Sequence, residues 1–393
     1  MKASDTENNH NDDHENNIKS SVLVLGDAFA DLVCHLDGPL PREAGGDTRL
    51  EHPITTMAGG SGLNTCTHLC SLLPPSKSEV SLYTAVNESD PYGMLLCNHA
   101  QQHGFDLHNC LGGKSATLAT GHCAVLVANG ERSFLTHLGV METFEANDID
   151  TSLLLSRASP RQLSFLHVAG YYNIPGFWNG QLKATLQTIR TATAGGGKRL
   201  VTSLLCQYDA TEAWDGQLMD LLPLVDYLFV NEVEVQKIAE ATKSRQGQDS
   251  SSQQQKQMET MVQDQDSESY WPDMARFFSQ QSPNTCVIAT LGPKGALALH
   301  GGQIIARQEA PTAVENPLDP TGAGDAFISG FLYGLGLDPT AAPAETSSGL
   351  PRRGNVPLAL QYGCAVGTSC ISRMGASNPA PTGEIEELMK KYS

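Results

Sequence analysis

Short apolar runs recur along the chain, and most of them end at glycine or at a polar residue. Such runs occur at residues 21–25, 164–169, 199–205, 226–230 and 285–291. Continuous apolar runs of this length predict strands that are buried on both faces, as in a parallel sheet. Helical spacing is found at residues 178–193, 270–281, 324–337 and 356–372. Strands that alternate with helices indicate an α/β fold with a doubly wound, mostly parallel sheet flanked by helices.

A second group of strand-like segments lies early in the chain without helices between them. They cover residues 31–36, 49–57 and 121–138. Within the last of these, Asn129-Gly130 separates two apolar stretches, which is a strong hairpin signal. We therefore expect a small β-sheet, formed from about 31–57 and 118–138, that lies over the main sheet as a lid.

Three stretches have the composition of additions to the fold. Residues 1–20 are polar and acidic and predict a disordered tail. Residues 243–269 are rich in Gln and Ser and predict a low-complexity insert. Residues 341–355 are rich in Ala, Pro, Ser and Gly and predict a flexible insert. The remainder of 21–390 predicts one large domain that carries the small lid.

Composition excludes several classes of protein. The chain has 393 residues, a net charge of −18 and 40% hydrophobic residues. It has too many apolar residues for a disordered protein, and no run approaches the roughly 18 apolar residues of a membrane span. The negative charge argues against a nucleic-acid partner. The ten cysteines form no CxxC pair and no secretory signal precedes them, so we expect a cytoplasmic protein without a membrane partner.

Two common nucleotide-binding motifs are incomplete. Gly113-Lys114-Ser115 resembles the end of a P-loop, but the pattern needs glycine at the position of His108. The dinucleotide fingerprint begins at Gly60 and Gly62 but lacks its third glycine, because Thr65 stands there. A nucleotide-dependent oxidoreductase is therefore disfavoured.

The segment DPTGAGDAF at 319–327 is the most informative one. The small residues Gly322, Ala323 and Gly324 allow a sharp turn directly before an apolar helix. The first amides of a helix have no partner within it, so this turn predicts an anion site. Asp325 lies in the first helical turn, where it either caps the helix or takes part in chemistry beside the anion.

This segment resembles the C-terminal signature of the ribokinase-like (PfkB) sugar and nucleoside kinases. Four further motifs occur in family order: GDAFAD at 26–31, GGSGLN at 59–64, NEVE at 231–234 and TLGPKG at 290–295. The resemblance spans about 22–375. It implies a ribokinase-like fold and transfer of the ATP γ-phosphoryl group to a primary alcohol, with magnesium.

The resemblance also implies roles for individual residues. Asp325 corresponds to the catalytic base, and the three small residues before it to the anion hole. The substrate-binding positions are Asp27, Asp31, Gly60 and Asn64. Asn64 has an alternative role as an amide at a helix start.

The nucleotide and its metal take a second set of positions. The ATP-binding positions are Asn231, Thr290, Gly292 and Gly295, and Glu234 corresponds to a magnesium contact through water. The alternative for Asn231 and Glu234 is a solvated helix start. Asp319 and Thr321 correspond to positions that hold a monovalent cation, such as K⁺, in some members.

Departures from the family pattern bear on the substrate. Phe29 and Ser61 stand where many ribose-using members have Asn and Lys, which weakens a strict ribokinase assignment. Arg132, on the predicted hairpin, reaches a phosphate or an anionic sugar in one interpretation and is a solvated surface residue in the other. Tyr171 and Tyr172 either contact the substrate or pack in the core.

His99 and His103 stand four residues apart near Cys97, but a metal site would need a third ligand that the sequence does not supply.

The sequence thus favours an ATP-dependent kinase for a primary alcohol of a ribose- or fructose-like sugar. A nucleoside kinase of the same family is the first alternative. A catalytically silent kinase-like module that binds proteins is the second, and the intact Asp325 disfavours it. We also expect a homodimer formed through the lid.

Overall fold

The computed structural model describes residues 20–39, 46–73, 78–112, 117–128, 131–158, 164–194, 200–248, 268–311, 314, 317–337 and 355–392. The predicted tail and the predicted flexible insert lie outside the described residues, except for their last positions, 20 and 355. So do residues 249–267 of the low-complexity insert.

The larger sheet confirms the mostly parallel α/β architecture. Its described strands are β1 (Ser20–Gly26), β5 (Ser78–Thr84), β6 (Asp106–Asn109), β9 (Ser164–Ala169), β10 (Leu200–Leu205), β11 (Tyr227–Asn231), β12 (Cys286–Thr290), β13 (Ala296–His300) and β14 (Gln303–Gln308). Their order across the sheet is β14-β13-β12-β11-β10-β9-β1-β5-β6. Neighbours from β12 to β6 are parallel, whereas β13 and β14 extend one edge in antiparallel pairing.

A separate smaller sheet forms from the early segments, as predicted. Its strands are β2 (Phe29–Asp37), β3 (Arg49–Leu50), β4 (Thr55–Gly59), β7 (His122–Ala128) and β8 (Glu131–His137). β3 and β4 both pair with β2 in antiparallel fashion, and β7 pairs with β2 in parallel. β7 and β8 form the predicted antiparallel hairpin, whose two turn positions, 129–130, lie outside the described residues.

Helices lie between the strands. Their described bounds are α1 (Ser61–Leu72), α2 (Pro91–His103), α3 (Thr151–Arg157), α4 (Gln181–Ala194), α5 (Leu218–Leu221), α6 (Glu232–Gln248), α7 (Tyr270–Gln281), α8 (Ala323–Leu332), α9 (Val356–Cys370) and α10 (Thr382–Met389). None of these helices is long and apolar enough to cross a bilayer.

Two predicted boundaries are wrong. Residues 243–248, which the composition assigned to the low-complexity insert, continue α6. The helix predicted over 324–337 is regular only to Leu332, and Tyr333–Leu337 form a wider π-type turn. Gly336 leaves helical geometry there, with φ 174° and ψ 4°.

The core occupies both faces of the larger sheet. Alternate residues of β1 belong to opposite clusters, with Val22 and Val24 on one face and Leu23 and Leu25 on the other. This alternation explains why β1 is apolar throughout. On the Val22 side, α8 packs against α1 and α9. The packing holds the first turn of α8 beside the motif at the start of α1.

Candidate active site

Polar residues gather where the parallel strands end. Asp27 follows β1, Asn231 is the last residue of β11, and Thr290 is the last residue of β12. The carboxyl ends of parallel strands meet at one edge of a sheet, where α/β proteins bind their ligands. The predicted site residues from separate motifs therefore converge on this edge.

Asp325 lies in the first turn of α8 and is buried. Its Oδ1 accepts a hydrogen bond from Ser61 Oγ at 2.5 Å, and its Oδ2 accepts one from Asn64 Nδ2 at 2.8 Å. Both donors belong to α1. Burial raises the pKa of Asp325 to about 7, while the two hydrogen bonds oppose the shift and the charge of Asp27 adds to it. A carboxyl group with this pKa can exchange a proton near neutral pH.

The turn before α8 requires glycine at one position. Gly322 has φ 78°, and a Cβ there would lie 2.6 Å from Ala376 Cβ. Gly324, by contrast, has open space where a side chain would begin. The amide of Ala323 donates to the Pro320 carbonyl at 3.2 Å. Of the predicted anion-hole residues, Gly322 and Gly324 line a cavity beside Asp325.

The predicted substrate residues surround the start of α1. Gly60 has φ 91°, and its Cβ would lie 2.7 Å from Ala28 Cα, so the backbones approach too closely for any side chain. Asn64 is buried, and its Oδ1 has no hydrogen-bond partner among the residues that the structure describes. Asp27 accepts hydrogen bonds from the Gly62 amide at 3.1 Å and from Asn173 Nδ2 at 2.7 Å. Burial raises the pKa of Asp27.

Asp31 reaches the same region from the smaller sheet. It lies on β2, where a Cβ added to Gly59 would stand 2.1 Å from its Oδ2. Burial raises the pKa of Asp31 to about 7, and the charges of Asp27, Asp319 and Asp325 contribute. Carboxyl groups from the smaller sheet and from the end of β1 therefore lie close enough to interact.

Asn231 and Glu234 bind each other at the start of α6. Glu234 Oε2 accepts from the Asn231 amide and Asn231 Oδ1 accepts from the Glu234 amide, both at 2.9 Å. This reciprocal pair is a capping box. Glu234 is nonetheless buried, not solvated, and burial raises its pKa to about 7. Both residues also line the cavity beside Asp325, so their capping role does not remove them from the site.

That cavity has a volume of about 220 Å³. Six predicted site residues line it: Asn231, Glu234, Thr290, Gly322, Gly324 and Asp325. Gly292 and Gly295, the other predicted ATP-binding residues, are not part of its wall. Gly292 begins a short helical turn after β12 and Gly295 follows its end, with φ angles of 55° and 94°.

Magnesium suits the donors of this cavity. Mg²⁺ usually keeps several waters and is bound by one or two carboxylates together with substrate phosphates. The buried carboxyl group of Glu234 provides such an oxygen donor. Among the described residues, no group of three or more His, Cys, Asp or Glu side chains could hold a metal ion by itself.

Asp319 has a different environment from the predicted one. Its Oδ1 accepts a hydrogen bond from the Thr321 amide at 2.9 Å, and its Oδ2 accepts one from the Gly375 amide at 2.9 Å. Arg132 Nη2, on β8, lies 2.9 Å from the same Oδ1. The solvated alternative for Arg132 is therefore wrong. The Asp319 carboxylate does not fit as a ligand of a monovalent cation, because an arginine and two amides already surround it.

Other sequence interpretations are resolved by burial. Phe29, Tyr171 and Tyr172 are buried in the apolar core, so the substrate-facing interpretation of the two tyrosines is not supported. The rings of His99 and His103 lie with centroids 4.2 Å apart and planes tilted by 31°, and the described residues supply no third metal ligand.

Two polar residues that follow parallel strands, Asn173 and Gln207, were not predicted. Asn173 donates to Asp27 and also to Gln207 Oε1 at 3.3 Å. Each follows the end of a strand, β9 or β10 respectively. A search for polar residues after every predicted parallel strand would have identified them.

Comparisons with known proteins agree with this architecture. A model of the pfkB family carbohydrate kinases matches residues 19–383. Curated adenosine kinases from Dictyostelium discoideum and Schizophyllum commune are 25% and 26% identical, over 71% and 72% of this chain and 73% and 75% of their own lengths.

Solved structures show the same fold. Ribokinase from Giardia lamblia superposes with a TM-score of 0.71 at 18% identity, covering 95% of this chain and 100% of its own. Arabidopsis thaliana ribokinase, complexed with ribose and ATP, gives a TM-score of 0.62 at 17% identity, covering 95% and 99%. The chain therefore belongs to the PfkB family of carbohydrate kinases, enzymes that transfer phosphate to an alcohol group.

Proposed function

We propose that this chain phosphorylates the primary alcohol of a ribose- or fructose-like sugar with ATP, and that Asp325 is the catalytic base. One observation carries the proposal. The buried Asp325 carboxylate is held by Ser61 and Asn64 and faces a cavity lined by the predicted anion-hole and ATP-binding residues.

In this mechanism Asp325 accepts the proton of the attacking hydroxyl group. Phosphoryl transfer passes through a loose transition state, so orientation of the nucleophile matters more than the strength of the base. The hydrogen bonds from Ser61 and Asn64 fix both carboxylate oxygens. With a pKa of about 7, Asp325 is largely ionised in mildly alkaline solution and can release the proton afterwards.

The transferred group would be stabilised by the start of α8. Gly322 and Gly324 line the cavity at a helix N-terminus, where backbone N–H groups and the helix dipole favour negative charge. The backbone approach at these glycines permits close contact with phosphate. Such backbone contacts would let a chain with a net charge of −18 bind an anionic nucleotide.

ATP and magnesium would occupy the cavity beside β11 and β12. Asn231, Thr290, Gly292 and Gly295 are proposed to contact the nucleotide, and Glu234 to hold the hydrated metal. Bound magnesium would neutralise charge on the phosphates. Asn231 and Glu234 are held in place by their mutual capping bonds.

The sugar would lie between Asp325 and the smaller sheet. Asp27 and Asp31 are proposed to accept hydrogen bonds from its hydroxyl groups. The Oδ1 of Asn64, which has no partner among the described residues, would be a further acceptor. Gly60 would allow the sugar to approach the backbone. The smaller sheet would then act as the lid that excludes water.

The lid-mediated homodimer stays a prediction. Phe134 and Leu135 on β8 of the lid are both well exposed.

A nucleoside is the second candidate substrate, and one observation favours it. Tyr208 is 55% exposed and lines the cavity beside Asp325, with its ring against Trp214. An exposed aromatic ring can stack on a base. The two curated relatives described above are named adenosine kinases.

A coupled ADP-release assay tests the proposal. Purified protein and magnesium ATP would be assayed with ribose, fructose, adenosine, inosine and sugar acids. We expect turnover with at least one substrate that has a primary hydroxyl group on a five-membered sugar ring. Turnover of adenosine without turnover of free sugars would select the nucleoside alternative. An absence of turnover across the panel would contradict the proposal and support the silent-module alternative.

A further inference from the structure

We propose that Arg132 provides the fixed positive charge at the anion-hole loop, so that phosphoryl transfer by this chain does not depend on K⁺. The inference rests on the proposed kinase function, because it concerns the same site. It departs from the family resemblance, in which Asp319 and Thr321 correspond to positions that hold a monovalent cation in some members.

The geometry around Asp319 leaves little room for a cation. Oδ1 already accepts a hydrogen bond from the Thr321 amide and forms the ion pair with the Arg132 guanidinium. Oδ2 accepts a hydrogen bond from the Gly375 amide. A carboxylate offers about four acceptor sites, so three are occupied. An ion bound to Oδ1 would have to displace the guanidinium and would leave that charge without its partner.

The ion pair is also well shielded from water. The side chains of Arg132 and Asp319 are only 13% and 6% exposed. Charges in such a location are weakly screened, and loss of one partner leaves the other buried and uncompensated. The pair therefore differs from the exposed ion pairs of this protein, such as Lys183 with Asp220 at 3.7 Å.

The surrounding charges explain why a cation is needed there. Burial is the main cause of the raised pKa of Asp31, and the charges of Asp27, Asp319 and Asp325 add to it. Arg132 and Asp31 line the same small pocket together with Asp319 and Thr321. A guanidinium group at this point offsets the carboxylates close to where the phosphates would bind.

The ion pair also connects two parts of the molecule. Arg132 belongs to β8 of the smaller sheet, and Asp319 precedes the turn of Gly322–Gly324. The guanidinium group of Arg132 is therefore part of the lid, and its ion pair with Asp319 connects the lid to the anion-hole loop. We assign Arg132 a positioning role, since it acts through its ion pair with Asp319.

The test compares the wild type with Arg132→Met in KCl and in tetramethylammonium chloride at equal ionic strength. Melting temperature and ADP release are measured in both salts. A ligand that binds only the folded state raises its stability with concentration. For the wild type we expect melting temperatures equal within about 1 °C and rates equal within about twofold, because no K⁺ site is open.

For Arg132→Met we expect a loss of at least about tenfold in rate in tetramethylammonium, since the buried Asp319 has lost its counter-charge. K⁺ should restore part of the rate and raise the melting temperature saturably. Arg132→Lys should keep most of the K⁺ independence. Lys183→Met removes an exposed pair on α4 and should leave the salt response unchanged.

Saturable stabilisation or activation of the wild type by K⁺ would overturn the inference. So would an Arg132→Met protein that responds to neither salt and keeps full rate. If no substrate is turned over, the proposed function fails, but the melting temperatures of the wild type still decide whether K⁺ binds.

Discussion

Asp325→Asn should make the folded protein more stable at alkaline pH even though it removes the proposed base. The carboxyl group is buried, and its pKa is raised from 3.8 to about 7 chiefly by burial. The folded state therefore binds the proton more tightly than the unfolded state does. Ionised Asp325 lowers stability as the pH rises from about 4 to about 7, and the full penalty is present above pH 7.

The size of the effect follows from the shift. Each pKa unit corresponds to about 1.4 kcal/mol, so the shift limits the penalty to about 4 kcal/mol at pH 8 and to about 1.5 kcal/mol at pH 5. Asparagine is neutral at both values. Its amide can donate to the Ser61 hydroxyl and its carbonyl can accept from Asn64, so the packing is kept. We expect a gain of about 1–4 kcal/mol in the free energy of unfolding at pH 8.

Denaturant unfolding of both proteins at pH 5 and pH 8 is the assay. The gain from Asp325→Asn should shrink by at least about 1 kcal/mol at the lower pH. Asp209→Asn is a matched control. The buried Asp209 carboxylate accepts hydrogen bonds from the amides of Thr211 and Trp214, so its replacement should destabilise the protein. A destabilised Asp325→Asn protein, or a gain that is equal at both pH values, would refute the reasoning.

Three further predictions concern the site. Ser61→Ala removes a hydrogen bond that lowers the pKa of the proposed base, so the acidic limb of the kcat/KM profile should move to higher pH; an unmoved limb would contradict this. Gly322→Ala should clearly lower the melting temperature, because the added Cβ would overlap Ala376. Gly324→Ala should be at least as stable as the wild type, because there is open space for its methyl group. Its turnover should be slower, since that methyl group enters the cavity. Gly59→Ala should raise the KM for the sugar by displacing Asp31, and an unchanged KM would exclude Asp31 from the substrate site.

Much of the fold could be predicted because local patterns agree with the global topology. The apolar runs at 21–25 and 164–169 lie within adjacent parallel strands, β1 and β9. The Asn129-Gly130 signal correctly marked the β7–β8 hairpin. Neither β13 nor the edge strand β14 was predicted, and β14 has mostly exposed side chains.

The site was predicted less completely because contacts between distant segments leave little trace in local sequence. The motifs identified Asp325 and Asn64, but they did not indicate that the Asn64 side chain donates a hydrogen bond to the Asp325 carboxylate. The position of Arg132 on a hairpin gave no sign of Asp319 as its partner. Asn173 lies in a segment without a recognised motif, and only the fold brings it to Asp27.

The most direct test of the account is the kcat of Asp325→Asn with magnesium ATP and the best substrate of the panel. The folded state of the variant would be verified by its melting temperature in the same buffer. We predict a loss of at least about 100-fold, within the range of general-base contributions. A folded variant that retains wild-type kcat would contradict the assignment of Asp325 as the base.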